Sequence, residues 1–181
     1  MNKRKNLQDQ TNFNSPFRGL GGSLDVGDIT FEFCDFENPM HLTALVDLLN
    51  MYMTDPMGDV PPLNKLQQLR LVDGLANHPS SFVLLEIYDG KIVGIAICFI
   101  NFSTFMVKKY INIHDFFIHP DYRGKGLANN LMQELISIST SRGYCKITLE
   151  VREDNYIAQG LYKSIGFEEC KPKMFFWTKT L

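Results

Sequence analysis

The chain has 181 residues, 45% hydrophobic and 21% charged, enough for one domain with a sizeable core and too few for two comfortable ones. A formal net charge of −2 argues against a nucleic-acid partner, and no apolar run reaches the ~18 residues that a membrane span needs. Four scattered cysteines (Cys34, Cys98, Cys145 and Cys170) without CxxC spacing read as buried thiols, not as a disulfide framework or a metal site.

Residues 1–27 are polar and glycine-bearing without sustained period, so a flexible extension is expected ahead of a domain at 28–181. They lack the apolar core of a secretory leader, which makes a cytoplasmic protein the expectation. Ile29, Phe31 and Phe33 alternate with polar residues as a half-buried strand. Asn38-Pro39 then opens a helix carrying Leu42, Leu45, Val46, Leu49 and Met53 at three- and four-residue spacing. The loop 54–62 follows, with Asp55 and Asp59 either solvated or attracting a cationic substrate. A second helix shows Leu63, Leu66, Leu69 and Val72 on one side and closes before Asn77-His78-Pro79.

A strand at 82–88, the hairpin signal Asp89-Gly90 and a strand at 91–99 come next. The second of these is β-branched throughout, as in a strand covered on both faces, and its Gly94 suggests a bulge or a close backbone approach. A further strand at 110–118 feeds Arg123-Gly124-Lys125-Gly126, after which Leu127, Leu131, Leu135 and Ile138 mark one face of a helix ending at Arg142-Gly143. A strand with Cys145, Ile147, Leu149 and Val151 on one face, a short helix at 156–165 closed by Gly166, and strands at 167–170 and 174–180 complete the reading. The expected fold is α/β (α+β) with a mixed sheet, in the order β-α-α-β-β-β-α-β-α-β-β.

A strand entering a glycine turn that opens a helix is a device for holding phosphates. Unpaired N–H groups point outward there, and the helix dipole adds about half a positive charge. A dinucleotide fingerprint needs a third glycine and an early place in a parallel sheet; a P-loop needs GxxxxGK[ST]. This turn has neither spacing. The turn fits R/Q-x-x-G-x-G/A through Arg123, Gly126 and Ala128 and, together with Asn155-Tyr156-Ile157-Ala158 and Tyr162-Lys163-Ser164-Ile165-Gly166-Phe167, resembles the two signatures of the GCN5-related N-acetyltransferase (GNAT) superfamily. Phe102 to Phe105, Asp115 to Phe117 and Tyr122 to Gly126 look like its diamine (spermidine/thialysine) branch, except that His114-Asp115 stands where that branch has Glu-Asp.

The resemblance implies an N-acetyltransferase that takes acetyl-CoA as co-substrate and acts on a primary amine of a small molecule, polyamine or amino-acid-like. It implies no metal, nucleic acid or membrane, and a homodimer. The alternatives are acetylation of a protein or peptide and a non-catalytic acyl-CoA sensor. The coenzyme is expected in a gap where the fourth and fifth strands splay apart. Backbone groups of Phe116, Phe117 and Ile118 would meet the pantetheine arm, and Arg123, Gly124, Lys125, Gly126, Leu127 and Ala128 would hold the pyrophosphate. Lys125 either adds charge there or is solvated, and Asn155 either touches pantetheine or caps its helix. Tyr162 is the candidate acid for the departing sulfur. His114 is the candidate base or water-positioner and Asp115 the amine binder, with Glu150 and Asp154 in reserve; His119 reads as structural. Adjacent strand residues face opposite ways, so His114 and Asp115 share a side only if a bulge intervenes.

Overall fold

In a computed structural model that describes residues 27–181, the chain forms one five-stranded mixed sheet with strands in sequence order. The flexible extension expected at the N-terminus falls, apart from Gly27, outside the described residues. Strands β1 (Ile29–Phe33), β2 (Ser81–Tyr88), β3 (Lys91–Ser103) and β4 (Lys108–Ile118) pair antiparallel, and β5 (Ile147–Leu149) runs parallel to β4. Helices α1 (Pro39–Thr54) and α2 (Lys65–Asn77) link β1 to β2, α3 (Leu127–Ser141) links β4 to β5, and α4 (Tyr156–Ser164) follows β5. Among the described residues no helix is long and apolar enough to cross a membrane.

The side-chain period of two sorts each strand between two cores. On β2, Leu84 packs with Leu127, Leu131, Leu135 and Ile138 of α3, while Val83 and Leu85 pack with Leu45, Leu48 and Leu49 of α1. The helices begin where their caps predict. Asn38 accepts the Met40 N–H with Pro39 next in line, and Asn64 and Gln67 form a reciprocal capping box at the start of α2. The β2–β3 hairpin turns on Asp89 and Gly90, both at positive φ (49° and 73°), and Asp89 also accepts the Asp28 N–H at 2.9 Å. Cys34 and Cys98 are buried as expected, Cys170 is exposed, and none of the four cysteines forms a disulfide.

Three features differ from the sequence reading. Leu66 and Leu69 of α2 are exposed, and the helix seats Leu75 and Leu71 instead, one turn apart on a different stripe. The strand expected from Cys145 to Val151 is only three residues long. The terminal strands at 167–170 and 174–180 are not formed: after α4 the backbone has no ladder partner. Pro172 removes a donor from that stretch, and β5 offers a very short edge to pair with.

Candidate active site

The site is set by an irregularity in β4. Ile113 pairs with Cys98 and Asp115 with Ile97, so His114 is an extra residue with no partner on β3. One inserted residue reverses the phase of the strand. Ile111 and Ile113 face the α3 core before the bulge; after it Ile118 faces that core and Phe117 faces α1. The condition for His114 and Asp115 to lie together is therefore met, and His114 Nδ1 is 3.2 Å from Asp115 Oδ2. The imidazole is open to solvent, its side chain 65% exposed against 22% for the carboxylate, and it packs edge-on against Phe99. Burial raises the pKa of Asp115 and the neighbouring imidazole partly offsets that.

The same residue marks where β4 and β5 part. Their parallel pairing covers only Ile111↔Ile147 to Ile113↔Leu149, with Asn112 Nδ2 donating to Thr148 Oγ1 at 3.2 Å across the middle rung. From His114 to Ile118 the β5-facing side of β4 has no strand beside it among the described residues. Its backbone groups face a gap, as the splayed arrangement requires. Phe116 and Tyr162 line this region in edge-to-face contact, centroids 6.4 Å apart, and Tyr162 also packs on Phe167. Burial and the nearby Tyr52 push the Tyr162 phenol up to about 12, so it is fully protonated at neutral pH.

Tyr52, which the helix periodicity passed over, is the residue that ties these groups together. It stands on α1 against Phe117 with centroids 5.5 Å apart. Burial raises its pKa first, then the charges of Asp115 and Asp55, with Arg152 opposing. A signal existed: Leu45, Leu48 and Leu49 are followed by Tyr52 on the same stripe, a polar-tipped ring at the end of an apolar face.

Beyond β4, His119 accepts the Asp121 N–H and Tyr122 the ring edge of His119, which makes His119 a structural hinge into the turn. Gly124 and Gly126 adopt φ of 78° and 80°, and a Cβ built on either meets nothing within 4 Å. The space over the turn is open. Gly126 caps α3 without a side chain, and the first helical bond runs from Asn130 N–H to Gly126, leaving the N–H groups of Leu127, Ala128 and Asn129 to face outward. Leu127 itself is buried and anchors the helix start. Lys125 Nζ lies 5.0 Å from the Tyr88 ring centroid and 5.2 Å from that of Tyr122, held beside the turn by two aromatic faces.

Arg123 points elsewhere. Its Nε donates to the Ile118 carbonyl, its guanidinium covers Phe117 and Nη2 reaches Asp55 Oδ2 at 3.0 Å. The loop 54–62 is thus latched to the turn. It folds back on the end of α1 through Gly58 N–H to Asp55 and Val60 N–H to Met53, and Asp59 adds to the negative field at Arg152 after β5. Arg152 and Asp154 form a two-pronged pair at 2.9 and 2.8 Å, and Gln159 secures the same loop by donating to the carbonyls of Arg152 and Glu153. Asp154 is thus engaged by Arg152, and Glu150 is exposed after β5. Asn155 does cap α4, its Oδ1 accepting the Ala158 N–H at 3.1 Å, which uses only the carbonyl end of the amide.

Residues 42–167 match the acetyltransferase (GNAT) family. Over 89 residues the chain is 35% identical to an uncharacterized N-acetyltransferase of Methanocaldococcus jannaschii; the match covers 49% of this chain and 39% of that relative. Among solved structures, an aminoglycoside acetyltransferase from an uncultured soil metagenomic sample superposes with a TM-score of 0.68 at 17% identity, covering 84% of this chain and 96% of that one. A ribosomal-protein-alanine N-acetyltransferase of Brucella melitensis biovar Abortus gives 0.62 at 18%, covering 85% and 98%.

Proposed function

Because this chain belongs to the acetyltransferase (GNAT) family, we propose that it transfers the acetyl group of acetyl-CoA to a primary amine of a small molecule. The observation that carries the proposal is the parting of β4 and β5 at the His114 bulge, directly upstream of an open glycine turn at a helix N-terminus. An amide-bearing arm has unpaired strand backbone to lie along at Phe116, Phe117 and Ile118, and a diphosphate has the N–H groups around Gly124 to Ala128. Lys125 adds a cation beside that turn.

The chemistry follows from the groups at the parting. An alkylammonium has a pKa of about 10, so roughly one amine in a thousand is neutral at pH 7. Asp115, paired with an accessible imidazole, binds the ammonium, and His114 takes its proton directly or through water. The freed nitrogen adds to the thioester carbon, the C–S bond breaks, the thiolate takes the phenolic proton of Tyr162, and the nitrogen's second proton returns to the phenolate through water. The small-amine reading is supported by the loop 54–62, latched at Asp55 and carrying Asp59, which brings two further carboxylates to the mouth of the gap. The two solved structures compared above act, by their names, on an aminoglycoside and on a ribosomal protein, so the fold alone favours neither acceptor class.

Release of free thiol from acetyl-CoA across a panel of diamines, amino acids, aminoglycosides and peptides is the test. Turnover on small diamines above peptides is expected. Turnover confined to peptides would transfer the reading to protein acetylation, and binding of acetyl-CoA without thiol release from any amine would leave a sensor.

A further inference from the structure

Tyr52 carries a hydroxyl that the fold itself does not use. The side chain is half-buried at the end of the apolar stripe Leu45, Leu48 and Leu49, where phenylalanine would pack without a polar atom to dehydrate. Among the described residues no protein group hydrogen-bonds that hydroxyl. Its position is nevertheless well defined. The ring lies on Phe117 with centroids 5.5 Å apart and planes at 33°, and the Arg123 guanidinium covers Phe117 in turn. The Tyr52 carbonyl accepts the Asp55 N–H at 3.1 Å, and Gly58 comes so close to the same carbonyl that a Cβ there would clash.

The hydroxyl belongs to the neighbourhood of the reacting groups. Past the bulge, Asp115 and Phe117 lie on one face of β4, about 7 Å apart along the strand. The charge of Asp115 is felt at the Tyr52 phenol, and Tyr52 in turn acts on Tyr162, so it is within electrostatic reach of both the amine-binding carboxylate and the acid for the departing sulfur. Burial holds the phenol above its ordinary range, which keeps it protonated and neutral at pH 7. Asp55, the other carboxylate that the phenol senses, is already held by Arg123 at 3.0 Å.

We propose that the Tyr52 oxygen accepts an N–H of the acceptor ammonium beside Asp115 and His114, and thereby restricts acceptors to primary amines. The inference rests on the activity proposed above. A primary ammonium has three N–H donors, and each needs an acceptor once water is excluded. Asp115 and His114 supply two. A second carboxylate as the third would hold the proton more tightly and lower the neutral fraction further. A phenol oxygen satisfies the donor without adding charge, so His114 can still take the proton. An N-methyl group replaces one donor with carbon and leaves the phenol oxygen facing it unsatisfied.

Thiol release from acetyl-CoA with 1,4-diaminobutane, and with each other small primary amine that turns over, is compared with release from the N-methylated form of the same amine. The native chain should favour the primary amine about tenfold or more in kcat/KM, the value of a lost hydrogen bond to a charged donor. Tyr52→Phe keeps the ring on Phe117 and removes the oxygen. It should raise KM for the primary amine about tenfold, leave the methylated amine nearly unchanged and bring the ratio close to one, with acetyl-CoA affinity within about twofold. Tyr52→Leu, which continues the apolar stripe, is expected to lose the same preference and serves if the first variant does not fold. Equal kcat/KM for the two amines in the native chain overturns the proposal, as does the native ratio persisting in a folded variant. Failure of every amine to release thiol from the native chain removes the proposed activity and this inference with it, whereas turnover with the ratio intact in the variant removes the inference alone.

Discussion

Tyr162 and Glu86 show how burial of a single titratable group is used for different ends. The Tyr162 ring stands at the end of α4 against Phe116, and burial pushes its phenol up to about 12, so the hydroxyl keeps its proton at neutral pH. Tyr162→Phe keeps the ring packing and removes only the hydroxyl. Loss of a positioned acid lowers rates about 10²-fold or more. We therefore expect kcat to fall at least that far while the acetyl-CoA dissociation constant stays within about twofold, measured by steady-state kinetics and calorimetry; an unaltered kcat returns Tyr162 to the core. Glu86 has no such role. It is 0% exposed, neither carboxyl oxygen has a partner among the described residues, and burial pushes it up to about 8 from 4.5. Gly94 makes its niche: a Cβ there would stand 2.9 Å from Glu86 Oε2 and 2.7 Å from Ile118 Cδ1. The folded protein keeps this proton where the unfolded chain has lost it, so the contribution of Glu86 is full below about pH 4.5, declines as pH rises and is gone above about 8. Glu86→Gln should remove that decline, giving a midpoint of thermal unfolding that gains on the native chain between pH 5 and 8.5. Parallel curves for the two proteins would show that the carboxyl is ionised in the fold.

Among the elements, the glycine turn and the bulged strand act as one unit. Gly126 ends the turn in the left-handed region and starts α3, so its backbone serves both the helix and the cradle above it. In Gly126→Val the new side chain finds open space in the ligand-free protein, and the cost is conformational, about 1–2 kcal/mol for a residue forced left-handed. That corresponds to a fall of several degrees in Tm for a chain of this length. Affinity for acetyl-CoA should drop by more than the stability does, at least about tenfold, because the branched carbon fills the approach to the N–H groups of Leu127 and Ala128. Calorimetry separates the two effects; binding within twofold of the native value would move the pyrophosphate site elsewhere. The bulge at His114 is the other half. By reversing the strand phase it turns Asp115 and Phe117 toward α1 while Phe116 and Ile118 stay with α3.

At the scale of the molecule, the loop 54–62 and the glycine turn are joined by Asp55 and Arg123, 68 residues apart in the chain. The pair is half exposed on the arginine side, so it adds little stability, about 0–1 kcal/mol. Its consequence is positional: it holds the loop 54–62 against the glycine turn. Asp55→Asn retains the Oδ1 contact to the Met57 N–H and removes the charge. Tm should move by no more than about 2–4 °C, while KM for the amine rises several-fold with kcat nearly kept. A KM unchanged alongside an unchanged Tm would reduce the latch to an ordinary surface pair.

What the amino-acid sequence determined by itself was local and periodic: the capped start of α1, the Asp89-Gly90 hairpin, the buried face of α3, the glycine turn and the two signatures that assign the family. Each depends on residues a few positions apart, where backbone sterics and side-chain period decide the outcome. Tertiary structure alone decided which stripe of α2 is buried, that His114 bulges, that Tyr52 joins Asp115 and Tyr162, and that residues 167–180 form no strand. Those outcomes turn on strand register and on surfaces brought together from distant segments. A strand without a partner is not a strand, however well its sequence would suit one.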